Sequence, residues 1–210
     1  MELQNLSTFR RFVRLCAGRT GQLLNMSSLG SDAGVSHTTV RQWLTVLEAS
    51  YIVFLLSPFH ANLKKRLVKS PKLYFHDVGL ASYLVGIESP MQMTTHHLRG
   101  ALFENLVAAE AVKHRYNRGL EPRLSFYRDS SGLECDLLYE SASGIGAIEA
   151  KSGATVASEH FGSLNRVGEL IPDISTRALV YGGSERQSRQ GCELVPLNEL
   201  TGLLEHFETG

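Results

Sequence analysis

The chain has 210 residues, of which 43% are hydrophobic and 20% charged, a composition typical of a globular protein and unlike that of a disordered chain. Its 21 basic and 21 acidic residues leave no net charge, so any contact with nucleic acid or a membrane requires a local patch. Because its cysteines, Cys16, Cys135 and Cys192, form no C-x-x-C pair and no apolar run approaches roughly 18 residues, we expect a cytoplasmic protein without membrane contact.

Residues 7 to about 50 predict three helical pieces, separated at Gly21 and at residues 34–36. Ser36 stands where a helix N-cap is expected. An apolar face follows at helical spacing, formed by Val40, Trp43, Leu44 and Leu47. The opposite face carries Thr38, Thr39, Arg41, Gln42 and Thr45. A short helix and a glycine-containing turn before this helix are typical of a helix-turn-helix, whose second helix would present these polar residues to nucleic acid.

The pattern then changes to that of a β-hairpin. YIVFLLSPF and PKLYFHD predict two strands, and ANLKKRLVKS between them predicts a basic turn with Lys64, Lys65, Arg66 and Lys69. A hairpin directly after a helix-turn-helix predicts a winged helix. Lysine and arginine in the wing favour phosphate contact, although winged helices also serve as protein-protein modules.

A second unit is predicted after a short helix at about residues 77–85, for which Asp77 is the expected N-cap, and a polar loop at residues 94–97. It opens with a helix at about residues 99–115. Strands are then predicted at residues 123–129, 133–140, 144–151 and 176–183, with helices near residues 157–170 and 198–207. This order predicts a mixed sheet with flanking helices, and therefore an α/β fold.

Three ionisable residues interrupt two of these strands. Glu149 and Lys151 are two residues apart and therefore share a face, and Asp136 lies in the preceding strand. If the strands pair, Asp136 and Glu149 can converge on one divalent cation such as Mg²⁺, while Lys151 orients water or steadies charge on a phosphate. Glu104 lies on the inner stripe of its helix and requires a partner there. A structural ion-pair cluster, with Glu104 paired to Lys151 or Arg99, is the alternative.

These residues support a resemblance. Asp136, Glu149 and Lys151 follow the pattern D-x12-E-x-K after a helix that carries Glu104, and this resembles the PD-(D/E)XK nuclease superfamily. SHTTVRQWLTVLEASYIVFLLSPF, NLKKRLVKSPKLYFHDVGLASYL, RGALFENLV and SGLECDLLYE with IEAKSG together resemble the carboxy-terminal half of a prokaryotic family of AAA-type ATPases. In that family a winged helix is followed by a nuclease-like domain of unknown function.

The resemblance implies a winged-helix domain at residues 1–90 and a restriction-endonuclease-like domain at residues 91–210. It implies nucleic-acid binding, with DNA favoured, and Mg²⁺-dependent phosphodiester hydrolysis at Asp136, Glu149, Lys151 and Glu104. Asp136, Glu149 and Glu104 are the expected metal ligands, with Mn²⁺ as a substitute for Mg²⁺. The chain has no G-x-x-x-x-G-K-[ST] motif, so we expect no ATP site, and an ATPase domain or subunit is an expected partner. The alternatives are a catalytically inactive interaction module of such an ATPase and a transcription regulator that uses only the winged helix.

Overall fold

A computed structural model describes residues 3–59 and 68–209, and it divides into two compact units. The first unit comprises the described residues up to 56 together with 70–109. The second comprises the described residues 57–59, 68–69 and 110–209. Both units contain helices and strands, so the α/β prediction is confirmed. Among the described residues, no helix combines the length and apolar character needed to cross a lipid bilayer.

The first unit is mainly helical. Its elements in chain order are α1 (Leu3–Ala17), α2 (Met26–Ala33), α3 (His37–Ala49), β1 (Val53–Pro58), β2 (Lys72–Phe75), α4 (Val78–Leu84), α5 (Pro90–Thr95) and the first part of α6 (Arg99–Asn117). β1 and β2 are antiparallel, with Val53 opposite Phe75 and Leu56 opposite Lys72. α5 covers part of the segment for which the sequence predicted a loop, and it begins with Pro90 after the N-cap Ser89, a favourable start for a helix.

Helix α3 begins and packs as its sequence predicts. Ser36 accepts a hydrogen bond at 3.1 Å from the backbone N–H of Thr39, which confirms the predicted N-cap. Gly34, with φ of 75°, ends α2 in the left-handed region that glycine adopts without steric cost. The apolar face of α3 enters the core of the first unit through Val40, Leu44 and Leu47. Trp43, at the edge of that face, makes edge contacts at 5.2 Å with Phe9 and Phe12 of α1.

The second unit is built on a mixed sheet. Its further elements are β3 (Leu124–Arg128), β4 (Glu134–Ser141), β5 (Gly144–Lys151), α7 (Glu159–Leu170), β6 (Ile174–Tyr181), β7 (Gln187–Arg189), β8 (Cys192–Pro196), a 3-10 turn (Leu197–Glu199) and α8 (Leu200–Thr209). The strand order is β1-β3-β4-β5-β6-β8-β7, in which β1 contributes only Ser57 and Pro58. β4 is antiparallel to β3 and β5, whereas β6 is parallel to β5 and β8. The sequence did not predict β7 and β8.

Helices cover the sheet of the second unit. Phe161 and Leu164 of α7 join the same buried cluster as Leu138 of β4 and Ala147 of β5. α8 packs so closely that a Cβ atom on Gly146 of β5 would lie 2.4 Å from the Phe207 ring, so a residue without a side chain is required there. Since side chains alternate along β5, Ala147 and Gly146 belong to opposite faces. α7 and α8 therefore cover opposite faces of β5.

Candidate functional site

The strands β4 and β5 bring Asp136 and Glu149 to the same end of the ladder. Leu138 lies opposite Ala147 and Leu137 opposite Ile148, the last pair of the ladder, and Asp136 and Glu149 are the next residues along β4 and β5. The Oδ2 atom of Asp136 also accepts a hydrogen bond at 2.9 Å from the backbone N–H of Ala150. The side chain of Asp136 therefore reaches across to β5 beside Glu149, as convergence on one site requires.

Both carboxylates are almost withdrawn from solvent. Asp136 and Glu149 are each 9% exposed, which is unusual for acidic residues unless they are paired or functional. Their charges act on a common neighbour, Cys135, which is fully buried. Burial raises the pKa of the Cys135 thiol well above its ordinary value, and the negative charges of Glu149 and Asp136 raise it further. The two carboxylates thus lie within electrostatic range of the same sulfur atom.

Lys151 completes the group at the end of β5. Its Nζ atom lies 2.8 Å from Oε1 of Glu149, and its side chain is 33% exposed. The spacing of two residues along β5 places Glu149 and Lys151 on one face, as the sequence predicted. β5 runs parallel to β6, with Lys151 opposite Tyr181 at the carboxyl ends of the two strands. Ligands of open sheets that contain parallel strands commonly bind at such carboxyl ends.

The donor set at this site suits a hard cation that keeps much of its water. Mg²⁺ is usually held by one or two carboxylates with several waters, in addition to oxygen atoms of a phosphate substrate. Asp136 and Glu149 provide two carboxylates, and a lysine beside them suits an anionic substrate. Within residues 3–59 and 68–209, no group of three or more His, Cys, Asp or Glu side chains could hold a metal ion. The fit is therefore to two protein ligands rather than to a closed protein cage.

Glu104 belongs to the first unit, where it has the inner-facing position that the sequence predicted. Its Oε1 atom accepts hydrogen bonds from Lys72 Nζ at 2.7 Å and from Tyr74 Oη at 2.5 Å. Lys72 is only 2% exposed, so Glu104 neutralises a buried charge. The sequence prediction that Glu104 needs a partner is met by Lys72, although the sequence suggested Lys151 or Arg99.

The neighbouring residue, Asn105, extends this polar network. It is fully buried, accepts a hydrogen bond from Thr20 and exchanges two backbone hydrogen bonds with Phe75 of β2. Together with the Glu104 contacts these bonds connect α6 to β2 and to the segment after α1. One signal in the sequence indicates this network: Lys72 stands in a strand whose other residues, Leu73, Tyr74 and Phe75, are apolar or aromatic.

The residues for which nucleic-acid contact was predicted fall into two groups. On α3, the side chains of Thr38, Arg41, Gln42 and Thr45 are exposed, and Thr39 is half-buried. Thr39 is engaged at the helix start with Ser36. The basic turn residues Lys64, Lys65 and Arg66 lie outside the described residues, whereas Lys69 is described and exposed.

Comparisons with known proteins give two matches to domain families and two similar proteins. Residues 2–91 match a Domain of unknown function (DUF8612), and residues 99–200 match a Domain of unknown function (DUF4143). The chain is 29% identical over 181 residues to Uncharacterized protein Mb2031c of Mycobacterium bovis and, equally, to Uncharacterized protein Rv2008c of Mycobacterium tuberculosis. The alignment covers 86% of this chain but only 39% of each relative. No solved structure matches the chain.

Proposed function

We propose that the chain is a nucleic-acid-binding protein that hydrolyses phosphodiester bonds with Mg²⁺, and that it corresponds to the carboxy-terminal part of an AAA-type ATPase. One observation carries the proposal. The side chain of Asp136 on β4 reaches β5, where Glu149 and Lys151 share a face at the strand end. The D-x12-E-x-K pattern of these residues supports the hydrolysis, and the match of residues 99–200 to DUF4143 supports the link to an ATPase. We further propose a winged helix in the first unit, with α3 as the helix that contacts DNA.

Each residue has a distinct role in the proposed reaction. Mg²⁺ would supply Lewis-acid polarisation of the phosphate and a bound water of lowered pKa. Asp136 and Glu149 would hold the cation, and the Ala150 N–H fixes the orientation of the Asp136 carboxylate. Lys151 releases Glu149 and turns its ammonium group to the scissile phosphate, where it stabilises developing negative charge. Glu104 lies in the first unit, where its contact with Lys72 gives it a structural role.

A second candidate function also rests on a specific observation. Lys151 already neutralises Glu149 at 2.8 Å, and the Ala150 N–H already binds Asp136 at 2.9 Å, so the charged group is compensated by the protein itself. Such a group is what a nuclease fold would retain after loss of catalysis. Under this candidate the chain is a regulatory or interaction module of an ATPase, which the greater length of the two mycobacterial relatives would allow.

Calorimetric titration with Mg²⁺ and Mn²⁺, followed by incubation with plasmid and branched DNA, tests the proposal. The wild type is compared with an Asp136→Asn, Glu149→Gln double variant, which preserves side-chain shape. Glu140→Gln is the matched control, because Glu140 is a half-buried carboxylate on the same strand as Asp136. We expect metal binding and cleavage in the wild type and in the control, and loss of both in the double variant.

The remaining outcomes distinguish the alternatives. A wild type that binds neither cation would rule out the metal nuclease and leave the ATPase-associated module. Cleavage that persists in the double variant would place the chemistry elsewhere. Sequence-specific DNA binding without cleavage, unchanged in the double variant, would identify a transcription regulator that uses α3.

A further inference from the structure

The first unit contains an apolar groove between α1 and α4 that the proposed nuclease function does not use. Its volume is about 430 Å³, within the range of sites that bind small ligands or side chains of a partner. Its floor consists of aliphatic side chains: Leu47 of the buried core and, at the margin of that core, the partly buried Val13, Ile52, Leu80 and Leu84. An open groove lined in this way leaves apolar side chains accessible to a binding partner.

The two edges of the groove differ in chemistry. On the α4 edge, Tyr83 has 71% of its surface exposed, and tyrosine is a residue type that often dominates binding energy at protein interfaces. On the α1 edge, Arg10 and Arg14 line the groove. Both arginines are exposed, and neither forms a salt bridge with any residue that the structure describes.

The spacing of these arginines defines what would pair with them. Residues four apart on a helix lie about 6 Å apart along its axis. Two carboxylates one turn apart on a second helix have the same separation, so each can meet one guanidinium of α1. Leucines at positions i, i+3 and i+7 on the adjoining face of that second helix would enter the aliphatic floor. Nucleic acid would meet the arginines but would leave the floor and Tyr83 uncovered.

We propose that this groove docks an amphipathic helix of a partner protein or domain, with an apolar face for the floor and two acidic residues one turn apart for Arg10 and Arg14. The proposal is independent of metal binding and hydrolysis, because every lining residue lies in the first unit and Asp136, Glu149 and Lys151 lie in the second. Its failure would therefore leave the proposed hydrolysis untouched.

Fluorescence anisotropy with three labelled peptides tests the docking. The acidic probe is a helix of about 16 residues, long enough to be partly helical alone, with leucines at the docking positions and glutamates one turn apart. The second peptide has glutamine in place of both glutamates, and the third has lysine. We expect the 210-residue chain to bind the acidic probe about tenfold more tightly than the glutamine peptide, and the lysine peptide not at all.

Variants of exposed residues assign the site. The double variant Arg10→Glu, Arg14→Glu should bind the acidic probe at least about tenfold more weakly than the wild type. Tyr83→Ala should bind it about fivefold more weakly. Arg11→Glu is the matched control, since Arg11 is exposed on the same helix but does not line the groove, and we expect a change below about twofold. In a ¹⁵N spectrum of the wild type, the probe should shift the amide signals of α1 and α4, a readout that needs no variant.

Several outcomes would overturn the proposal. They are equal affinity for all three peptides, an equal loss of affinity in Arg11→Glu, and spectral changes confined to the second unit. Sedimentation that shows self-association lost in Tyr83→Ala would identify a second copy of this chain as the occupant instead. Tight binding of single-stranded DNA that competes fully with the acidic probe would assign the arginines to phosphate contact.

Discussion

The Asp136 carboxylate accepts a hydrogen bond at 2.9 Å from the backbone N–H of Ala150. This bond joins β4 to β5 beyond Leu137 and Ile148, the last pair of their ladder. The same side chain is thus a candidate metal ligand and a structural acceptor. A loss of activity in an alanine variant would therefore be ambiguous, because the Ala150 N–H would lose its acceptor at a nearly buried position.

Two substitutions of Asp136 should separate these roles. Asp136→Ala removes the acceptor, and we expect it to lower the free energy of unfolding by about 1–3 kcal/mol. Asp136→Asn keeps an oxygen for the Ala150 N–H, so its cost should be less than about 1 kcal/mol. Urea unfolding of both variants measures the difference. Equal stability of the two variants would show that the Asp136 hydrogen bond contributes little to the fold.

Because Lys72 and Glu104 form a buried ion pair, replacing Glu104 alone should lower the free energy of unfolding more than replacing both residues together. Glu104→Ala leaves the ammonium group of Lys72 buried without its carboxylate, so we expect a loss of about 3–5 kcal/mol. Replacing Lys72 with methionine in the same chain removes the uncompensated charge and should recover most of that loss. Chemical denaturation of the two single variants and the double variant completes the cycle.

Glu110→Ala is a suitable control for that cycle. Glu110 lies on the same helix and pairs with Lys113 at 2.8 Å, but both side chains are 44% exposed. An exposed pair of this kind contributes about 0.5 kcal/mol or less. A similar loss in Glu104→Ala and Glu110→Ala would contradict the view that burial makes the Lys72 pair important.

Local signals in the sequence predicted the elements better than the contacts between them. Ser36 and Asp77 were correctly identified as N-caps, because a cap depends on only four consecutive residues. β5 has the bounds that its alternating pattern predicted. β7 was missed because its three residues are all exposed and carry no apolar alternation.

The partner of Glu104 shows why contacts were harder to predict. Helical position alone indicated that its carboxylate points inward. The partner, Lys72, lies 32 residues away in sequence, and only the pairing of β1 with β2 and the packing of α6 bring the two together. The pairing of β4 with β5 was easier to anticipate, since the two strands are consecutive and a short connection makes antiparallel pairing the natural outcome.

Glu208 should make stability depend on pH. Its carboxylate accepts hydrogen bonds from Arg115 at 2.6 Å and from Tyr139 at 2.5 Å. Burial alone would raise the pKa of Glu208, but the hydrogen bonds from Tyr139 and Arg115 outweigh burial and lower it below its ordinary value of 4.5. A lowered pKa in the folded state stabilises the protein at pH above the unfolded value, and this stabilisation is lost as pH falls through the folded value.

We therefore expect Glu208→Gln to lower the free energy of unfolding at pH 7 by about 1–3 kcal/mol, and the difference from wild type to shrink as the pH falls below 4.5. Urea unfolding across this pH interval checks the sign. Glu205→Gln is the control on the same helix. Glu205 is 55% exposed, and its contact with Arg118 is long, at 3.4 Å, so the substitution should lower the free energy of unfolding by less than about 0.5 kcal/mol. A constant difference for Glu208→Gln at all pH values would contradict the linkage.

The proposed DNA contact of α3 predicts a change in salt dependence. If Arg41 contacts a phosphate, Arg41→Ala should weaken binding by a similar factor for every DNA sequence and reduce the slope of log affinity against log salt by about 0.9. If Gln42 reads a base edge, Gln42→Ala should leave that slope unchanged and relax sequence preference. Anisotropy titrations over a range of salt concentrations, with duplexes of different sequence, measure both quantities.

Arg166→Ala is the matched control for Arg41→Ala. Arg166 is exposed on α7, in the second unit, so its replacement removes the same charge without altering α3. If nonspecific attraction by total charge were responsible for binding, the two variants would reduce the salt slope equally. A reduction confined to Arg41→Ala would support α3 as the nucleic-acid contact, and an unchanged slope in both would assign α3 to protein contacts.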